Sequence, residues 1–273
     1  MPQPIECKSP AELDAMRRGG RILARVLRAV GKEIREGANG RELDRMAREL
    51  IEQAGARPAF LGYEGYPATL CDSINEQVVH GIPCKKAFRA GDLVSIDCGL
   101  LYEGFFSDAA LTVGIEPIRP VDALLIEVTR HALERGIAAS QPGARLGDIG
   151  AAIQSAAAPH NFSVVREYTG HGIGRKLHEP PKIPNYGQPG TGMRIQAGMV
   201  LALEPMINEG TWKTLLTADQ WTVVTADGRK SCHFEHTVAI TENGPEILTL
   251  DRPVGEAVES LFKGDRPPES PRA

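Results

Sequence analysis

Apolar positions recur along this chain with two different periods. Leu13, Met16, Leu23, Leu27 and Val30 follow helical spacing. Ser9-Pro10-Ala11-Glu12 in front of them reads as a helix start: Ser9 can cap, Pro10 suits the first helical position, and Glu12 can reach back to the cap. Asn39-Gly40-Arg41-Glu42 is a second such start, with Leu43, Met46 and Leu50 as the apolar face behind it and Gly55 as the stop. Near residue 76 the character changes. Gln77-Val78-Val79-His80 reads as a strand and Gly81-Ile82-Pro83 as a turn, and residues 93–99 and 105–113 read as strands joined near Glu103-Gly104. Helical spacing returns over 121–139 and 147–157. Strand patterns follow over 163–165, 199–206, 221–225 and 233–241, with Asp227-Gly228 as a hairpin turn between the last two. Residues 1–8 read as a short arm, and residues 253–273, rich in Pro, Glu, Arg and Ser, as a mobile tail.

The order is helices then strands, twice over, and the residues support a duplication. Ala90-Gly91-Asp92-Leu93-Val94-Ser95-Ile96-Asp97 parallels Ala197-Gly198-Met199-Val200-Leu201-Ala202-Leu203-Glu204. Phe106-Ser107-Asp108 parallels His233-Phe234-Glu235, and Val79-His80-Gly81-Ile82-Pro83 parallels Leu177-His178-Glu179-Pro180-Pro181. Upstream, Gly37-Ala38 with Glu42-Leu43 matches Gly143-Ala144 with Asp148-Ile149. One such match arises readily by chance; matches in the same order favour duplication. Asp97 then belongs with Glu204, Asp108 with Glu235 and His80 with His178, about an approximate two-fold axis. An insertion around residues 211–232 breaks the offset.

Composition narrows the class. The 273 residues, 42% hydrophobic and 24% charged, are those of a globular protein that builds one merged domain. With a net charge of −4 and no large basic patch, nucleic acid is not the main ligand, and Arg17-Arg18 reads as a solvated helix face. The five cysteines, Cys7, Cys71, Cys84, Cys98 and Cys232, form no CxxC pair and follow no secretory signal, which points to reduced thiols in the cytoplasm. No apolar run approaches the ~20 residues that span a membrane.

The chemistry sits at the strand ends. If Glu103-Gly104 is a two-residue turn, residue 99 pairs with 108, and Asp97 and Asp108 are diagonal neighbours on one face, roughly 7–8 Å apart at the backbone. Taken alone, two unrelated surface aspartates would fit as well. Glu204 ends a run too apolar for a surface strand, with no Lys or Arg in it to neutralise a buried carboxylate. Glu235 lies between His233 and His236, where a structural salt bridge is the plainer alternative. His171, in Thr169-Gly170-His171-Gly172-Ile173-Gly174, is surrounded by glycines that permit close backbone approach and an exposed imidazole. Four carboxylates and one imidazole suit divalent ions such as Mn, Fe or Co, and the charges balance two of them. Two such ions roughly 3.5–4 Å apart can hold and acidify one water at neutral pH.

At this point the sequence resembles the methionine aminopeptidases of the bacterial type over about residues 5–250. The most specific stretches are Ser73-Ile74-Asn75-Glu76-Gln77-Val78-Val79-His80-Gly81-Ile82-Pro83 and Thr169 to Gly174, with Ser95-Ile96-Asp97 and Leu203-Glu204-Pro205 beside them. The resemblance implies the α/β pita-bread fold: two pseudo-symmetric halves, about 5–115 and 120–250, with a curved, mostly antiparallel central sheet flanked by helices. Residues 1–252 would form one catalytic domain. It implies two divalent ions (Co, Mn, Fe or Zn), one held by Asp97 and Asp108 with Glu235, the other by Asp108, His171, Glu204 and Glu235. His178 would stand near the substrate carbonyl oxygen and His80 near the scissile amide nitrogen, while Glu204 would shuttle a proton. Tyr63, Tyr66, Cys71 and Trp221 match positions lining the methionine pocket. Leu177 stands where the family's well-known enterobacterial pattern has Phe, and Phe60 where it has Cys, which leaves the fine specificity open. The implied activity removes the initiator methionine when the next residue is small, through a hydroxide bridging the metals. The implied partners are the N-termini of nascent polypeptides near the ribosome, met in the cytoplasm by a monomer. Two competing readings are an Xaa-Pro aminopeptidase or prolidase, which carries an extra N-terminal domain, and a non-catalytic binding protein, which would lose ligands that are all present here.

Overall fold

The computed structural model describes residues 5–251. Its elements in chain order are α1 (Pro10–Lys32), α2 (Gly40–Gln53), β1 (Arg57–Pro58), β2 (Leu70–Ile74), β3 (Gln77–Val79), β4 (Leu93–Tyr102) and β5 (Phe105–Gly114), followed by α3 (Pro120–Ala139) and α4 (Leu146–Ala157). The remaining strands are β6 (Ser163–Val164), β7 (Thr169–Gly172), β8 (Glu179–Pro184), β9 (Val200–Leu203), β10 (Met206–Asn208), β11 (Thr214–Leu216), β12 (Val223–Thr225), β13 (Ser231–His233), β14 (Glu235–Thr241) and β15 (Gly244–Ile247). The expected tail at 253–273 lies outside the described residues.

The start of α1 is as the sequence predicts. Glu12 Oε2 accepts from Ser9 N at 2.8 Å, and Glu12 N donates to Ser9 Oγ at 3.4 Å, which closes a capping box. The β4–β5 hairpin also has the predicted register, with Tyr102 opposite Phe105 and Gly99 opposite Asp108. Arg17 is less solvated than expected: it pairs with Glu246 at 2.7 Å and ties α1 to β15.

The large sheet is antiparallel throughout and runs β1-β4-β5-β14-β9-β7-β8, with β2 also on β4 and β15 on β14. Period-two alternation sorts its faces. Val94, Ile96, Cys98 and Leu100 of β4 and Ala109 of β5 pack under α1 and α2. Leu201 and Leu203 of β9 and Val238 and Ile240 of β14 pack under α3 and α4. Truncating any one of these large aliphatic side chains to alanine would cost about 2–5 kcal/mol. The intervening residues, among them Asp97, Asp108, Ala202 and Glu235, point to the opposite face.

The duplication appears in the hydrogen bonds. Gly37 N donates to Phe88 O and Phe88 N to Ala38 O; Gly143 N donates to Ile195 O and Ile195 N to Ala144 O. Gly91 N donates to Ile115 O as Gly198 N does to Ile240 O, at 2.7 and 2.8 Å, and both glycines are left-handed, with φ of 89° and 91°. Counted from these bonds, Asp97 takes the place of Glu204. Ala110, not Asp108, takes the place of Glu235, and Asp108 that of His233. The expected match of Asp108 with Glu235 is therefore off by two residues: it aligned residue types, whereas the ladder fixes position.

Three further features differ from the sequence reading. The strand expected over 199–206 breaks at Glu204-Pro205 into β9 and β10, which lie in different sheets, because Pro205 has no N–H to continue a ladder. The strand expected over 233–241 breaks at Phe234 into β13 and β14, again in different sheets. Asp227-Gly228 is a turn but not a hairpin: β12 pairs with β11 and β3, and β13 with β10. Strands β2, β7, β8 and β11 carry no clear alternation, and the first three owe their pairing to the sheet already in place.

Across the sheet from Cys71 on β2, the neighbour Asp72 points the other way, against the start of α2. It is 2% exposed, its Oδ2 has no partner among the described residues, and it fills the space where Gly40 has no Cβ. Burial, with the charge of Asp44, pushes its carboxyl up to about 8. The folded chain therefore holds a proton here that the unfolded chain releases near pH 4, and stability drains away as pH rises from there towards 8. Asp72→Asn, which resembles the protonated form, should leave Tm unchanged near pH 4 and raise stability by about 1–3 kcal/mol at pH 8. Equal Tm values at both pH values would show that Asp72 is not held neutral.

Candidate functional site

The register brings the predicted residues together. Asp97 lies opposite both Cys71 on β2 and Ala110 on β5, and Ala110 lies opposite Glu235 on β14. Directly paired residues share a face, so Cys71, Asp97, Ala110 and Glu235 form one row, and Asp108, two residues before Ala110, faces the same way. Glu204 follows the end of β9 beside Glu235, since Leu203 pairs with His236. His171 is opposite Ala202, two residues before Glu204. Ligand-capable atoms of Asp108, His171 and Glu235 all lie within 4.8 Å of one another, and His171 Nε2 is 3.6 Å from Glu204 Oε1.

This group forms the floor of a cavity of about 200 Å³. Its walls hold every other predicted position: Tyr63, Tyr66, Cys71, His80, Leu177, His178 and Trp221, together with Phe60. Tyr66 and Trp221 meet edge to face at 5.1 Å, and Tyr66 hydroxyl lies 2.8 Å from Gly81 O. Tyr63 hydroxyl bonds His178 Nδ1 at 2.8 Å, which leaves Nε2 for the cavity. His80 has a left-handed backbone, φ 61°, a strained conformation fixed by Gly81, whose N donates to Ser73 Oγ and whose O accepts from Asp72 N.

His171 corrects one expectation: its side chain is 9% exposed rather than open to solvent. The glycines around it serve packing. A Cβ on Gly170 would lie 2.4 Å from Ala202 O, and one on Gly172 would lie 2.2 Å from Pro180 O, so β7 fits between β9 and β8 only without side chains there. His171 Nδ1 is 2.9 Å from Gly172 O, which orients Nε2 towards Glu204.

Electrostatically the floor is incomplete without a cation. Burial pushes the carboxyls of Asp97, Asp108, Glu204 and Glu235 up, and the charge of Asp108 pushes the other three further. Among the described residues, the buried Asp97 Oδ1, Asp108 Oδ1 and Glu235 Oε1 have no hydrogen-bond partner, and no Lys or Arg pairs with any of the four. Burial pulls His171 down to about 3 and His80 to about 4, each helped by His178, and pulls His178 down too, so these imidazoles are neutral donors or ligands. Oxygen-rich donors with one neutral imidazole fit hard or borderline divalent ions.

The sequence reading missed Glu64, Val79, Tyr168 and Thr169 in the walls, although Thr169 adjoins the His171 motif. It also gave His233 no role. That residue is 1% exposed, and its Nε2 lies 3.8 Å from Glu204 Oε2 with no hydrogen-bond partner among the described residues. Counting by two from Glu235 would have put it on the same face, had the strand not broken at Phe234.

Comparison with known proteins adds an independent line. The model of metallopeptidase family M24 matches residues 14–242. A methionine aminopeptidase of Clostridium perfringens is 49% identical over 246 residues, covering 90% of this chain and 99% of its own. Methionine aminopeptidase 1 of Bacillus subtilis is 48% identical over 245 residues, with the same coverage. The crystal structure of a methionine aminopeptidase from Thermotoga maritima superposes with a TM-score of 0.89 at 46% identity, covering 90% of this chain and 100% of that one. A prolidase from Pyrococcus furiosus, at 24% identity and a TM-score of 0.71, shares the fold, but this chain covers only 66% of it.

Proposed function

The chain belongs to metallopeptidase family M24, among its methionine aminopeptidases, and we propose that its cavity removes the N-terminal methionine from polypeptides whose second residue is small. The observation that carries this reading is the floor of four carboxylates and one imidazole, three of its buried oxygens unpartnered, beneath a pocket of aromatic and apolar side chains. We take residues 1–252 as one catalytic domain made of halves at about 5–115 and 120–250.

Two divalent ions would be held by Asp97, Asp108, His171, Glu204 and Glu235, with Asp108 and Glu235 serving both. Bound there, such ions polarise a carbonyl and acidify water at neutral pH. Tyr63, Tyr66, Cys71, Leu177, Trp221 and Phe60, which line the cavity, receive the methionine side chain. His178 donates to the carbonyl oxygen from Nε2, its Nδ1 being held by Tyr63. His80 faces the amide nitrogen. Glu204 takes up a proton in the cavity and delivers it to the departing amine. The substrates are N-termini of nascent polypeptides near the ribosome, and the enzyme works as a cytoplasmic monomer; no helix of the described residues is long and apolar enough to cross a membrane.

Chelation tests the metal dependence. Dialysis against a strong chelator should abolish release of methionine from a Met-Ala peptide, and Co, Mn or Fe added singly should restore it. Undiminished turnover by protein shown to be metal-free would overturn the reading.

A further inference from the structure

A buried ammonium lies behind the wall that carries Leu177 and His178. Lys8, in the segment before α1, has a side chain only 1% exposed. Its Nζ lies 2.8 Å from Glu179 Oε2 and donates to Glu6 O at 3.1 Å. Its backbone is fixed as well, since Lys8 N donates to Gly198 O at 2.6 Å. The stem runs through space that a side chain at position 174 would need: a Cβ on Gly174 would lie 2.3 Å from Lys8 Cε. Glu179 is the other half of the device. It directly follows His178, its side chain is 10% exposed, and its Oε1 accepts from Lys176 N at 3.0 Å. One carboxylate thus binds the ammonium through one oxygen and the backbone of the turn through the other.

Three neighbouring contacts hold the same turn from outside. Gly174 O accepts from Phe106 N at 2.8 Å, and Arg175 lies over the Phe105 ring and reaches Glu12 Oε1 at 2.8 Å. Between these anchors the turn presents Leu177, 2% exposed, and His178 to the cavity. A charge so buried is costly unless it is paired and fixed in place.

We propose that Lys8 is a positioning residue: paired with Glu179, it holds the 174–179 turn so that Leu177 and His178 face the substrate. This rests on the aminopeptidase reading for its consequence in turnover, but not for the restraint itself. The reacting groups never touch Lys8; it acts through Glu179 on the backbone that carries His178.

The test compares the full-length, metal-loaded protein with Lys8→Met, which keeps most of the stem, with Glu179→Gln, and with the double variant. Amide hydrogen exchange is read at Lys176, Leu177 and His178, with amides of α3 as the internal control, alongside metal content, kcat and KM on a Met-Ala peptide. Each single variant should speed exchange in the turn about tenfold, leave α3 and metal content unchanged, and lower kcat/KM about ten- to a hundredfold. The double variant should lose no more than the worse single one, because the two residues act as one pair. Unchanged exchange in the turn in both single variants, or losses that simply multiply in the double variant, would overturn the proposal. Should Lys8→Met fail to fold, Glu179→Gln decides by the same exchange measurement. Absence of aminopeptidase activity in the unaltered protein would count against the proposed function, and exchange alone would then decide the role of Lys8.

Discussion

Glu235→Gln is expected to lose both bound metal and turnover, the latter by roughly 10³-fold, or about 4 kcal/mol. Glu235 lies in the row formed with Asp97 and Ala110, next to Glu204, and its Oε1 is buried without a partner. Glutamine keeps the shape but turns an N–H group towards the cation and removes one of four negative charges. The metal-free protein should respond in the opposite sense. Burial and the charges of Asp108, Glu204 and Asp97 push the Glu235 carboxyl up, so an uncharged replacement relieves repulsion, and the variant should melt higher than the unaltered protein when both are stripped of metal. Metal analysis, kcat and paired melts with and without chelator check this. A variant that kept full metal occupancy and rate would remove Glu235 from the ligand set.

His178→Ala should separate substrate chemistry from metal binding. The ring lies 4.3 Å from that of His171, centroid to centroid, yet its Nδ1 is committed to Tyr63 and burial keeps it neutral. Removing it should leave metal content intact and slow turnover by roughly 10²–10³, the scale of losing one donor to a developing oxyanion. Tyr63→Phe should give a weaker version of the same defect, since it frees the ring without deleting it. Loss of metal in His178→Ala would show that the residue is a ligand instead.

Much of this arrangement is legible in the sequence. Two-residue turns fix register, so Glu103-Gly104 placed Asp97 and Asp108 on one face, and repeated Ala-Gly starts located equivalent strands in both halves. What the sequence concealed depends on long-range pairing. β7 and β8 are rich in Gly and Pro and show no alternation, so their strand character comes from the sheet that receives them, β7 on the edge of β9 and β8 on that of β7. Pro205 and Phe234 mark sites where the chain leaves one sheet for another, and a run of apolar residues reads the same whether or not it crosses such a break. His233 was hidden for that reason, and Lys8 because a charged residue close to the start of a chain usually faces water. The role of glycines around His171 was read correctly as close approach but with the wrong consequence, since close approach buried the imidazole.

A cavity that removes one N-terminal methionine should act on peptides according to their first two residues. Mass spectrometry of three peptides beginning Met-Ala, Met-Lys and Ala-Pro, each incubated with the metal-loaded protein, tests it most directly. The account predicts loss of one methionine from the first peptide, with the second and third left intact. Cleavage before proline in the third peptide, or intact Met-Ala peptide in the presence of bound metal, would contradict it.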